Sequence, residues 1–263
     1  MIPRRLLAAL LLAALPAGAT PFTHHAFDQV LRAVVDDAGR VDYRRLKQNH
    51  APLDAYLDSL AACSPHNHPE RFARPAHELA YWINAYNALV LRGVVDGYPV
   101  SRVDELGGLE AFFRQRTWTL GRENLTLDQL ESQIIRPQYR DPRIHFALNC
   151  AAASCPALLN RAYTGEKLDS LLEARAQSFA ADPRQVRLDL PAGKLHLSKL
   201  LAWYQDDFLG WFPARAPRPA QPTLVDYLVL YLPADQARQL AQHPAIEIVF
   251  DEYDWTLNQA PGH

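Results

Sequence analysis

The chain has 263 residues, 49% of them hydrophobic, with 27 basic and 29 acidic residues for a formal balance of −2. That content supports a sizeable apolar core and excludes a disordered or low-complexity chain. Basic residues are scattered rather than striped, which argues against nucleic acid as a partner.

Residues 1–19 read as a Sec-type signal peptide. Arg4 and Arg5 form a basic start, residues 6–15 an apolar stretch too short to span a membrane, and Ala17-Gly18-Ala19 a small-residue cleavage site. The mature chain of 244 residues is expected to be periplasmic or secreted, with no later membrane-spanning segment. Without Arg4 and Arg5 it holds 25 basic against 29 acidic residues, a balance of −4.

Apolar periodicity predicts helices over 27–35 and 46–60, with a short extended piece at 40–43 between them. A polar loop at 64–71 carries His66 and His68. A strong helix over 75–95 is ended by Gly97 and Pro99, and a strand at 116–120 leads into a turn at 121–124. The next helix, 126–135, has Thr126 as N-cap, Gln129 at the capping-box position, and Pro137 as its stop. Residues 144–149 alternate Ile144, Phe146 and Leu148 with His145, Ala147 and Asn149, the pattern of a half-buried strand. A loop of small residues, 151–154, follows. Pro156 suits a first helical position, which sets Cys155 at a helix N-cap. Further helices are expected at 168–180, 198–204, 224–231 and 234–242, a hairpin at 186–190 and 194–197, a proline-rich excursion at 213–222, and a closing strand at 246–250. The fold class is α+β: a helix-rich body on a small, mostly antiparallel sheet, with candidate strands near Arg116, Ile144, Val186, Leu195 and Ile246.

The candidate chemistry centres on Cys155. Free amides and the helix dipole at a helix start favour a thiolate, and His145, ten positions upstream, is the candidate base. His196 is a competing base. Glu131 falls inside the apolar stripe of its helix; it either pairs structurally with an arginine or orients His145. Asp254 is a further candidate orienter. Asn84 and Asn87 sit in a helix apolar nearly all round, where they either bond nearby backbone or line the site as orienter or oxyanion donor. Amides of the 151–155 loop are the other expected oxyanion donors. The chain has three cysteines, an odd count, so at least one thiol is unpaired within the molecule. Cys150 and Cys155 form a disulfide, or Cys150 is a buried core residue. His24, His25, His66 and His68 lack a metal-ligand framework, and Tyr253-Asp254-Trp255 reads as a strand sealing the core. No metal or cofactor signature is present.

Six segments also carry a resemblance: YWINAYNAL (81–89), LTLDQLE (125–131), DPRIHFALNCAAASCPAL (141–158), AYTGEKLD (162–169), LSKLLAWYQDDF (197–208) and YDWTLN (253–258). In order and spacing the chain resembles the domain of unknown function 547 family from about residue 76 to its C-terminus. The resemblance implies one domain over 20–263, its core at about 76–258, and places the Asn84/Asn87 helix, Glu131, His145, Cys155, Lys199 and Asp254 on characteristic segments. It assigns no reaction. A cysteine at a helix start beside a histidine-bearing sheet also has the layout of papain-like thiol hydrolases, with the order of cysteine and histidine permuted.

The expected function is a periplasmic thiol-dependent hydrolase or acyl transferase acting on an amide or ester of a small molecule or peptide. One alternative is a non-catalytic ligand-binding or envelope-structure module. Another is a thiol-redox protein using Cys150 and Cys155.

Overall fold

The computed structural model describes residues 20–213, 216 and 218–261. The expected leader at 1–19 lies outside them, as do three positions of the proline-rich stretch. Among the described residues no helix is long and apolar enough to cross a membrane.

The fold is α+β, built around one buried helix. Helices α1 (His25–Val34), α2 (Tyr43–Gln48) and α3 (Ala51–Ala62) precede α4 (Pro75–Gly97), which buries its whole central run from Leu79 to Leu91. A helix apolar on every side has no solvent face to offer. α1, α2 and α3 therefore cover it on one side, with Phe27, Leu31, Leu46, Leu53 and Leu60 buried between them. Residues 46–60, expected as one helix, are two. The break falls at Asn49 and His50, just before Pro52 opens α3. A π-helical turn, Ala111–Gln115, leads into strand β1 (Thr117–Leu120), which pairs antiparallel with β2 (Glu123–Thr126).

The next helical run is built as the sequence predicts at its start. Thr126 Oγ1 accepts from Gln129 N–H at 3.0 Å, and Gln129 Oε1 accepts from Thr126 N–H at 2.9 Å. α5 (Leu127–Gln129) opens into a π-helical stretch, Leu130–Ile135, and closes as α6 (Arg136–Tyr139). Pro137 thus sits inside the last turn, not beyond the end.

Helix α7 (Leu168–Ala181), strands β3 (Val186–Asp189) and β4 (Lys194–Leu197), helices α8 (Lys199–Trp203), α9 (Gln205–Gly210), α10 (Leu224–Val229) and α11 (Ala234–Ala241), and strand β5 (Glu247–Phe250) complete the chain. β3 and β4 form the expected hairpin, and β5 joins β4 in parallel. Among the described residues there are two small sheets rather than one, of two and three strands.

A second core gathers under α7 and the three-stranded sheet, around Phe179, Leu195, Leu201, Phe208 and Tyr227. Between the cores lies the segment expected as a strand, and it is not one. Pro142–Phe146 is a 3-10 helix. Asp141 caps it by accepting from Arg143 N–H at 3.0 Å, and Pro142 takes the first helical position. These local start signals outweigh the period-two pattern. All five residues are buried, so no side alternates with solvent. Ile144 enters the first core, Phe146 the second, and His145 lies at the seam.

Candidate active site

The cysteine loop is fixed from two sides. From below, Asn87 Nδ2 donates to Ala147 C=O at 3.0 Å and its Oδ1 accepts from Asn149 N–H at 2.9 Å. Asn149 then spans the loop, donating to Pro156 C=O at 2.8 Å and accepting from Ala151 N–H at 2.9 Å. From above, the C-terminal segment zips onto it: Ala153 N–H donates to Thr256 C=O, Ser154 N–H to Asp254 C=O, and Asn258 N–H to Ala151 C=O. Ala151 is held at φ 66°, a left-handed conformation that costs a residue with a Cβ about 1 kcal/mol and is enriched at functional sites.

This architecture corrects the expected setting of Cys155. No helix starts there. Cys155 N–H closes a turn onto Ala152 C=O at 3.0 Å, and the chain then runs extended. The papain-like layout therefore fails at its main premise, because no helix starts at Cys155 and His145 sits on a 3-10 helix rather than a strand. Cys155 is 6% exposed, and burial pushes its thiol well above the ordinary value. Its sulfur accepts from Cys150 N–H at 2.9 Å.

Cys150 is the more accessible thiol, and its environment is the reverse. Burial opposes its charge. Hydrogen bonds from the Cys155 thiol, the Tyr253 hydroxyl at 3.0 Å and Ala152 N–H outweigh that penalty and draw the thiol below its ordinary value. All three cysteines are free, so of the alternatives open for Cys150 and Cys155 the disulfide is not the one formed, and Cys150 is only partly buried. Cys63 is buried elsewhere, against Arg71.

Both sulfurs line a cleft of about 510 Å³, and so do His145 and Glu131. His145 is buried, with its ring stacked on Tyr204 at 3.9 Å between centroids. Its Nε2 donates to Asp207 Oδ2 at 2.8 Å, which leaves Nδ1 as the free lone pair. Nδ1 stands 3.9 Å from Glu131 Oε1. Asp207 is held in turn by Arg136, through bonds of 2.7 and 3.1 Å. Burial opposes the Asp207 charge, but His145 and Arg136 together keep its carboxyl well below the usual range. The Tyr204 hydroxyl bonds Glu131, and the Arg136 guanidinium lies over the Tyr204 ring at 5.0 Å. Glu131 lies on a π-helical turn, a feature common at functional sites.

The other expected site residues fall elsewhere. Asn84 clamps the backbone of Tyr163, donating to its C=O at 2.8 Å and accepting from its N–H at 2.9 Å. It is a packing residue, as Asn87 is a loop clamp; neither amide is free for an oxyanion. The loop amides of Ala151, Ala153, Ser154 and Cys155 are likewise bonded within the protein. Asp254 is exposed and accepts from Thr256 N–H at 2.9 Å, so it does not orient His145. His196 pairs with Asp251 at 2.8 Å, away from the cysteines. Lys199 reaches Glu252 at 4.0 Å. Among the described residues no group of three or more His, Cys, Asp or Glu is placed to hold a metal ion. The residues missed in the sequence are Asp207, Tyr204 and Tyr253.

Two thiols and an imidazole held by a carboxylate, lining one cleft of an α+β protein, define the class of site. Residues 70–180 match the family described as Protein of unknown function, DUF547. That stretch contains Glu131, His145, Cys150 and Cys155, whereas Asp207 and Tyr253 lie beyond it. Neither the curated proteins nor the solved structures yielded a match.

Proposed function

We propose that the protein is a thiol-dependent hydrolase or acyl transferase acting on an amide or ester bond, with Cys150 rather than Cys155 as nucleophile. The reading rests on one observation: Cys150 and His145 line the same cleft, with the imidazole locked by Asp207 so that Nδ1 is its free nitrogen. His145 takes the Cys150 proton. The thiolate attacks the carbonyl carbon, a C–S bond forms, and the electron pair moves to the carbonyl oxygen. Collapse breaks the C–N or C–O bond while His145 returns the proton to the leaving group. Water, or a second nucleophile, then releases the acyl group from sulfur by the same route. No hydrogen bond joins His145 to either sulfur in this state, and catalytic pairs often stand looser before substrate closes them. The leader-like sequence of residues 1–19 supports a periplasmic or secreted setting for this chemistry.

The test is covalent labelling. On exposure to 4-nitrophenyl acetate the wild-type protein should carry one acetyl group on Cys150, located by mass spectrometry. Cys150→Ser should abolish it and His145→Ala should slow it. A Cys150 that stays unmodified, and reacts with iodoacetamide no faster than free cysteine, would reject the reading.

An alternative, a binding module without turnover, draws on the aromatic shelf beside the thiols. Trp203 is 48% exposed and packs at a tilt against Tyr253 at 4.7 Å between centroids. Such a shelf can hold a flat ligand face whether or not chemistry follows.

A further inference from the structure

Acyl transfer through Cys150 generates an oxyanion, and the cysteine loop offers few donors for it. The Cys150 amide points at the Cys155 sulfur, Ala151 at Asn149, Ala153 at Thr256, Ser154 at Asp254, and Cys155 at Ala152. Besides the Cys155 thiol, two donors converge on the Cys150 sulfur itself: the Ala152 amide and the Tyr253 hydroxyl at 3.0 Å. Both lose their acceptor when the thiolate becomes bonded to carbon, because a thioether-like sulfur is a poor acceptor. The new oxyanion forms two bonds away from that sulfur, on the carbon it has attacked, within reach of the same two donors.

We propose that Tyr253 is a catalytic residue, its hydroxyl holding the resting sulfur and then passing its hydrogen bond to the oxyanion of the tetrahedral intermediate, with the Ala152 amide as second donor. The inference depends on the thiol-acyl reading above. The Tyr253 ring is well placed for the task. It is packed against both Trp203 and Trp255, each at 4.7 Å between centroids, so the hydroxyl is aimed without a flexible arm. Burial, reinforced by the neighbouring sulfurs, keeps the phenol protonated across the working range, so it remains a donor. The proton stays on oxygen throughout: one hydrogen bond is exchanged for another, and no group is oxidised or reduced.

Tyr253→Phe keeps the ring and removes the donor. Two reactions at the same sulfur separate its roles. Iodoacetamide alkylates by displacement at a saturated carbon and builds no oxyanion, whereas 4-nitrophenyl acetate acylates through one. At equal pH, the variant should acetylate Cys150 ~100-fold more slowly than wild type, the usual size of a lost oxyanion donor, while alkylation changes less than ~10-fold. Equal slowing of both reactions would show that the hydroxyl acts only on the sulfur and would overturn the proposal. So would an unchanged acetylation rate. A wild-type Cys150 that alkylates but never acetylates would instead remove the thiol-acyl reading itself, and the role of Tyr253 with it.

Discussion

Asp207 carries the orientation of His145, and it does so through two bonds to cations or potential cations, His145 at 2.8 Å and Arg136 at 2.7 Å. Asp207→Asn preserves shape but leaves the amide free to turn its NH₂ toward Nε2, which selects the wrong imidazole tautomer. Acetylation of Cys150 should then fall ~100-fold or more, as in other oriented imidazoles. An unchanged rate would take Asp207 out of the chemistry. The same substitution has a pH signature. Because the folded carboxyl titrates below its unfolded value of about 3.9, its stabilisation is complete above that pH and is lost as pH falls from there toward the folded value. The difference in urea midpoint between wild type and variant should therefore be constant at pH 5–7 and shrink below about pH 4. In sequence, Glu131 is visible because it falls inside an apolar stripe, and His145 because it lies ten positions before Cys155. Asp207 is not. It follows Asp206 on the six-residue helix α9, where two adjacent acids read as a solvated face, and only tertiary approach of that helix to the 142–146 turn turns one of them inward.

At the level of elements, the long periodic pieces were legible and the short aperiodic ones were not. α4, α7, the Thr126 capping box and the 186–197 hairpin follow from repeated local signals that tertiary packing then reinforces. The 144–159 stretch gave a false strand and a false helix start because both were read from side-chain pattern alone. Its conformation is set instead by long-range bonds: Asn87 lies 62 residues from Asn149, and Asn149 lies 109 from Asn258. A pattern of neighbours cannot report partners that distant. The clamp has a measurable weight. Asn87→Ala leaves Ala147 C=O and Asn149 N–H buried without their partner, at roughly 1–3 kcal/mol for each unsatisfied group. We expect a loss on the order of 2–4 kcal/mol in urea unfolding, together with slower Cys150 acetylation as the loop loosens. A loss below about 0.5 kcal/mol, the range of an ordinary surface substitution, would show that Asn149, anchored by Asn258, holds the loop without Asn87.

At the scale of the molecule, two apolar cores meet along a seam, and the cleft opens where the seam reaches the surface. The α+β class was readable from composition and period, but the division into two small sheets and two cores was not, since strand pairing is a relation between distant segments. The same wholeness governs pH stability through a residue far from the cleft. His24 lies just before α1, edge-on to Phe22 at 5.2 Å, with Nδ1 at 2.7 Å from the Tyr56 hydroxyl. Burial, helped by the charge of His77 and opposed by Glu166, lowers its pKa from 6.5 to about 4. In the unfolded chain His24 titrates at the ordinary value. Between pH 6.5 and 4 the unfolded state therefore binds a proton that the folded state refuses, and stability falls as pH falls; above and below that window both states agree and this contribution is flat. Across the window the loss is up to roughly 3 kcal/mol. His24→Gln retains a polar group near Tyr56 and has no proton to bind. Its urea midpoint should decline less than that of wild type between pH 6.5 and 4, with parallel lines outside the window. Parallel lines throughout would mean that folded His24 accepts its proton as readily as the free side chain does, and that the Phe22–Tyr56 packing opens to water on the timescale of titration.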